Sequence, residues 1–126
     1  MPVSNPVRDD RNLLLEAGAR ETARSRRYGR PLGVVVVRVL PREIGLAGEV
    51  LRASLRDGAD LSLRRADGYA VLAPETATSG LMHLAARLQE ALLSFRVRAK
   101  VGFAVLEAHD GAFRDVLARA DAMVRE

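Results

Sequence analysis

The 126-residue chain predicts an α+β domain: a mostly antiparallel four-stranded sheet in the split order β-α-β-β-α-β, with one additional helix at each end. Three observations carry that prediction. The run Gly33-Val34-Val35-Val36-Val37-Arg38-Val39 is continuous and β-branched, Asp67-Gly68 stands between two strand-like runs, and stretches of helical periodicity separate the strands.

Taken in order, Asp9 to Tyr28 favours helix, with Asp9 or Asp10 as N-cap and Arg24, Arg26 and Arg27 near the end, where cations complement the helix dipole. Gly29 and Pro31 stop it. The Val-rich run reads as a central strand covered on both faces. Pro41 and Glu43 open a second helix through Ile44, Ala47, Val50, Leu51 and Leu55, with Gly58 as its stop. Leu61 to Arg65 and Tyr69 to Ala73 form a hairpin, its primed turn drawing positive φ from Gly68. Thr76, Thr78 or Ser79 caps a third helix carrying Leu81, Leu84, Ala85, Leu88, Ala91 and Leu92. Arg96 to Leu106 alternates as a strand, with Val97, Ala99, Val101, Phe103 and Val105 on its packed face and a wetter face opposite. Asp110-Gly111 turns the chain into a last helix with Phe113, Val116, Leu117, Ala120 and Val124 on one side. This is the ferredoxin-like βαββαβ order, with helices expected on one face of the sheet and Arg38 expected beside the Ala66-Asp67-Gly68 turn. Residues 1–8 read as a lead-in and 9–126 as one domain.

Apolar residues make up 48% of the chain, enough for one core. There is no Cys, hence no disulfide framework and no thiolate zinc site, and no long uncharged apolar run that would span a membrane. The N-terminus lacks a signal pattern, so a cytoplasmic location is expected. The net charge of +4 comes almost wholly from Arg, with Lys100 the single Lys, and it is scattered rather than clustered; nucleic acid is therefore not an expected partner. His83 and His109 lack companions at ligand spacing, and no serine has a nucleophile-elbow context. Phe103 is in phase with Val101 and Val105, which assigns it to packing rather than to base stacking. The turn's one carboxylate, Asp67, makes a poor metal site, and no metal or cofactor is expected.

Five strings, Arg24 to Leu32, Gly48 to Arg52, Ala70 to Thr76, Val101 to Ala104 and Arg119 to Met123, stand in an order that resembles the GGDEF domain, the diguanylate cyclase family that makes cyclic di-GMP from two GTP. Arg24 to Leu32 is similar to the family's basic helix end before its first strand, and Gly48-Glu49-Val50-Leu51-Arg52 to its Gly-Asp-x-x-Leu helix. Ala70 to Thr76 resembles the stretch after its signature, Val101-Gly102-Phe103-Ala104 its Ser-x-Gly-x-Ala strand, and Arg119-Ala120-Asp121-Ala122-Met123 its Arg-Ala-Asp helix.

The resemblance implies where chemistry would lie. The Gly-Gly-Asp-Glu-Phe signature falls on Arg65-Ala66-Asp67-Gly68-Tyr69, which puts Gly68 at the metal-binding Glu and Arg38 at the carboxylate ending the first strand. Pro41 to Leu46 is shorter than the family's segment, so its guanine-contacting Asn and Asp have no counterparts. Two-metal phosphoryl transfer needs acidic ligands, so cyclase activity is not expected. The family's inhibitory product site, Arg-x-x-Asp, compares with Arg56 and Asp60 at one residue's wider spacing, with Arg64 and Arg65 as further phosphate contacts. The first expectation is an inactive GGDEF-like domain acting as a protein-interaction module or homodimer in bacterial signalling. A receptor for cyclic di-GMP or GTP through Arg56, Asp60, Arg64, Arg65 and Arg38 is the alternative, and nucleic-acid binding a third. Arg38 beside Arg65 favours an anion over a cation at the turn.

Overall fold

The computed structural model describes residues 10–56 and 59–125; Asp9, the 1–8 lead-in, Asp57 and the Gly58 stop lie outside them. The elements are α1 (Arg11–Tyr28), β1 (Leu32–Arg38), a single 3-10 turn at Pro41–Glu43, α2 (Ile44–Ser54), β2 (Leu61–Arg65), β3 (Gly68–Pro74), α3 (Thr78–Ser94), β4 (Lys100–Val105) and α4 (Phe113–Val124). The sheet order is β2-β3-β1-β4, with every neighbouring pair antiparallel. This is the expected split topology, with β1 in the interior of the sheet.

Val34 to Val37 have no polar face to offer water, and both of their faces are covered. Val35, Val37 and Val39 pack with Ile44, Leu51, Leu81 and Leu88 of α2 and α3, whereas Val34 and Val36 pack with Leu14, Phe113 and Val116 of α1 and α4. Each buried valine contributes about 1.5–3 kcal/mol. Helices thus cover both faces, not one: the two flanking helices form a second layer of their own.

Local expectations are corrected at five places. β4 begins at Lys100, because Arg96 takes positive φ (64°) and turns the chain first. Its supposed wet face, Gly102 and Ala104, is the buried one, since small residues admit α4; a Cβ on Gly102 would lie 2.3 Å from the Ala120 carbonyl oxygen. Phe103 is only partly buried, against the α2–α3 side. Asp10 does not cap α1 with its side chain: its carboxylate accepts the Arg64 N–H at 2.9 Å and its own N–H donates to the Arg64 carbonyl at 2.8 Å, closing the edge of β2. At α3 the N-cap position falls on Ala77, which has no capping side chain, and the Thr76 hydroxyl turns back to the Pro74 carbonyl.

The hairpin turn is Ala66-Asp67, with Arg65 opposite Gly68. Among the described residues positive φ outside glycine occurs at Glu75 and Arg96, so the turn is not primed. Gly68 is required for a different reason. Its φ is 156° and a Cβ there would stand 1.8 Å from the Val37 carbonyl oxygen, where β1 passes.

Between β4 and α4, Asp110 is almost fully buried. It accepts the Glu107 N–H at 2.7 Å and a guanidinium N–H from Arg119, while Arg26 of α1 donates to its backbone carbonyl. Burial raises its pKa, but the Glu107 N–H and Arg119 outweigh that and hold it below the usual carboxylate value.

Gly68→Ala is expected to cost on the order of 3 kcal/mol or more, because backbone meets backbone, whereas Gly45→Ala, with open space around it in α2, gains about 0.5–1 kcal/mol; urea denaturation distinguishes them. A depressed folded-state pKa stabilises above the unfolded value and is lost as pH falls through the folded one. The urea midpoint should therefore fall between about pH 5 and pH 2, and Asp110→Asn should flatten that slope.

Candidate functional site

The strand register brings the end of β1 beside the hairpin turn, the neighbourhood expected for Arg38. Arg38 stands opposite Gly68 of β3 on one side and Lys100 of β4 on the other. Its Nε lies 3.6 Å from Asp67 Oδ2, a half-exposed pair of little energetic weight, and its Nη1 donates to the Val124 carbonyl at 3.4 Å. Arg65 makes a two-pronged pair with Asp121 of α4, at 2.7 and 3.0 Å, with both side chains about three-quarters buried. Tyr69, in the final signature position, is buried and donates its hydroxyl to the Ile44 carbonyl at 2.8 Å, over Gly48.

These contacts give the reversed charge a local meaning. The anions that meet Arg38 and Arg65 come from the chain itself: Asp67, Asp121 and the last carbonyls of α4, where a helix end carries partial negative charge. Among the described residues no three His, Cys, Asp or Glu side chains gather closely enough to hold a metal ion. Beside the turn lies a cavity of about 270 Å³ with Leu14, Leu15 and Leu117 as its floor and Arg11, Arg65 and Asp67 at its rim.

Arg56 and Asp60 do come together, at the opposite end of β2 from Arg64 and Arg65. Arg56 donates from Nη2 and Nε to the two Asp60 oxygens at 2.8 and 3.1 Å, and from its backbone N–H at 3.2 Å, closing the α2–β2 loop. The Asp60 side chain is 1% exposed, and its hydrogen bond and charge raise the Arg56 pKa above its ordinary value. Arg56 Nη2 also reaches the Thr76 hydroxyl at 3.3 Å. A groove of about 430 Å³ opens here, lined by Arg56, Asp60, Thr76, Ser79, Gly80 and Arg87, so that two guanidinium groups border the uncapped first turn of α3. Glu75 forms its rim, held at φ 58° by its N–H to the Pro31 carbonyl and by Arg30 at 3.0 Å.

Sequence reasoning missed Asp121 as the partner of Arg65 and Arg87 as the partner of Arg56 across the groove. Asp121 had a signal, since it belongs to the Arg-Ala-Asp string. Arg87 had none, because its neighbours come from other elements.

Solved structures share this architecture. The active GGEEF domain of a diguanylate cyclase from Vibrio cholerae matches with TM-score 0.80 at 13% identity, over 95% of this chain and 89% of that one. Diguanylate cyclase SiaD from Pseudomonas aeruginosa, solved with its activator SiaC, matches with TM-score 0.80 at 21% identity, over 90% of this chain, which spans 52% of that one. The GGDEF domain of DgcB from Caulobacter crescentus, solved with c-di-GMP, matches with TM-score 0.76 at 15% identity, over 97% and 89% of the two chains. No protein-family model matches the sequence, and no curated protein is found similar to it. Among the described residues no helix is long and apolar enough to cross a membrane. The chain therefore has the GGDEF-like α+β fold, a four-stranded antiparallel sheet between two pairs of helices.

Proposed function

We propose that this chain is a GGDEF-like domain without cyclase activity that works as a protein-interaction or dimerisation module in cyclic di-GMP signalling. The observation that carries the reading is Arg38 in register with Gly68: two-metal phosphoryl transfer calls for carboxylates at facing positions, and a cation there opposes Mg²⁺. Arg65 adds a second cation, already engaged by Asp121. The signature turn is thus put to use inside the fold, fastening α4. The likeness to a cyclase solved with a protein activator supports a domain that is read by a protein.

A second reading rests on the groove. Arg56, Arg87 and the first-turn amides of α3 offer planar donors and a helix N-terminus to a phosphodiester, which suits a receptor for cyclic di-GMP or another guanine nucleotide.

Incubated with GTP and Mg²⁺ or Mn²⁺, the purified chain is expected to yield no cyclic di-GMP by chromatography, and product formation would overturn the first reading. For the second, calorimetry should show micromolar cyclic di-GMP binding that weakens at least about tenfold in Arg87→Ala and in Arg56→Ala; a flat titration of the unaltered chain with cyclic di-GMP and GTP removes it.

A further inference from the structure

The outer edge of β4 is closed by α4 in an unusual way. Leu106 donates its N–H to the Leu32 carbonyl at 2.8 Å, so even-numbered positions turn their backbone groups toward β1, and Val101, Phe103 and Val105 turn theirs away from the sheet. Two α4 side chains one helical turn apart meet this outward row. Arg119 Nη2 donates to the Val105 carbonyl at 3.0 Å, and the Phe103 N–H donates to the Met123 thioether sulfur at 3.3 Å. Gly102 brings α4 close enough for this, since a Cβ there would lie 3.0 Å from Met123 Cβ. Met123 as a residue is nevertheless 47% exposed, so a small reagent in water reaches it.

We propose that Met123 is a redox-sensitive modification site, and that its oxidation by hydrogen peroxide uncovers the Phe103 amide on the β4 edge. A sulfur lone pair attacks one peroxide oxygen, an S–O bond forms and the O–O bond breaks. The departing hydroxide takes the proton from the transferred oxygen and leaves as water; sulfur is oxidised by two electrons and peroxide is reduced by two. The product sulfoxide is polar, and its sulfur carries partial positive charge, so the sulfur no longer accepts the Phe103 N–H; the acceptor is now the new oxygen, which stands one bond further out and is drawn to water. The side chain withdraws toward water, and an edge amide that was hydrogen-bonded to sulfur becomes available to solvent or to another strand.

Met82 supplies the internal comparison. It is 53% exposed on α3 and takes no part in closing a sheet edge. The experiment treats the full chain with a graded dose of hydrogen peroxide, reads each methionine by peptide mass spectrometry and follows the Phe103 amide by hydrogen exchange. Met123 should oxidise at the doses that oxidise Met82, and Phe103 exchange should rise about threefold in step with Met123 sulfoxide, as loss of a weak hydrogen bond implies. In Met123→Leu, which keeps the apolar contact, Phe103 exchange should no longer respond to peroxide, although Met82 still oxidises. Phe103 exchange that is unchanged when Met123 is sulfoxide, or a Met123 that stays reduced while Met82 is fully converted, would overturn the proposal.

Discussion

The interaction on which the rest depends is the burial of β1 on both faces. A strand of consecutive valines must find apolar cover above and below the sheet, and this chain supplies α2 and α3 on one side and α1 and α4 on the other. The same strand fixes the hairpin, because the Val37 carbonyl passes so close to residue 68 that only glycine fits. Fold and signature position are therefore set by one constraint: β1 cannot be central without bringing Arg38 beside the turn.

The resulting arrangement explains why arginines stand where the GGDEF comparison leads one to look for an acid, at Arg38, and for a glycine, at Arg65. A helix C-terminus needs cations, and α4 ends against β1 and the hairpin. Arg65 has the stronger hold, with two short hydrogen bonds in a partly dry setting; Arg38 is more exposed and its contacts are longer. The groove at the other end of β2 differs in kind. Its Arg56 is tied to a buried carboxylate, yet the open side still presents donors.

Much of the fold was legible because it rests on periodicity. The valine run, the α3 repeat and the α4 stripe each state their own burial, and the pairing of Arg38 with the turn follows from topology alone. What was illegible depended on partners distant in sequence. Gly102 and Ala104 look like the weak face of β4 until α4 is laid on them, and Asp10 looks like a helix cap until β2 offers an unpaired N–H. The Asp-Gly pattern points to Gly68 as the source of positive φ in a primed turn, whereas what requires glycine there is the neighbouring strand β1. At the groove, Arg56 and Asp60 were suggested by their likeness to the Arg-x-x-Asp string, at one residue's wider spacing, whereas Arg87 was out of reach because nothing near it in the chain marks it.

The tie between Arg38 and Val124 joins residues 86 positions apart, and that between Arg65 and Asp121 joins residues 56 apart. During synthesis the layer formed by α2 and α3 is available once β4 has emerged, but the opposite face of β1 has only α1 to cover it until α4 is made. The nascent domain thus passes through a stage with Val34, Val36, Ala70 and Leu72 unsheltered by α4, a stage at which contact with a chaperone or another unfinished chain competes with completion.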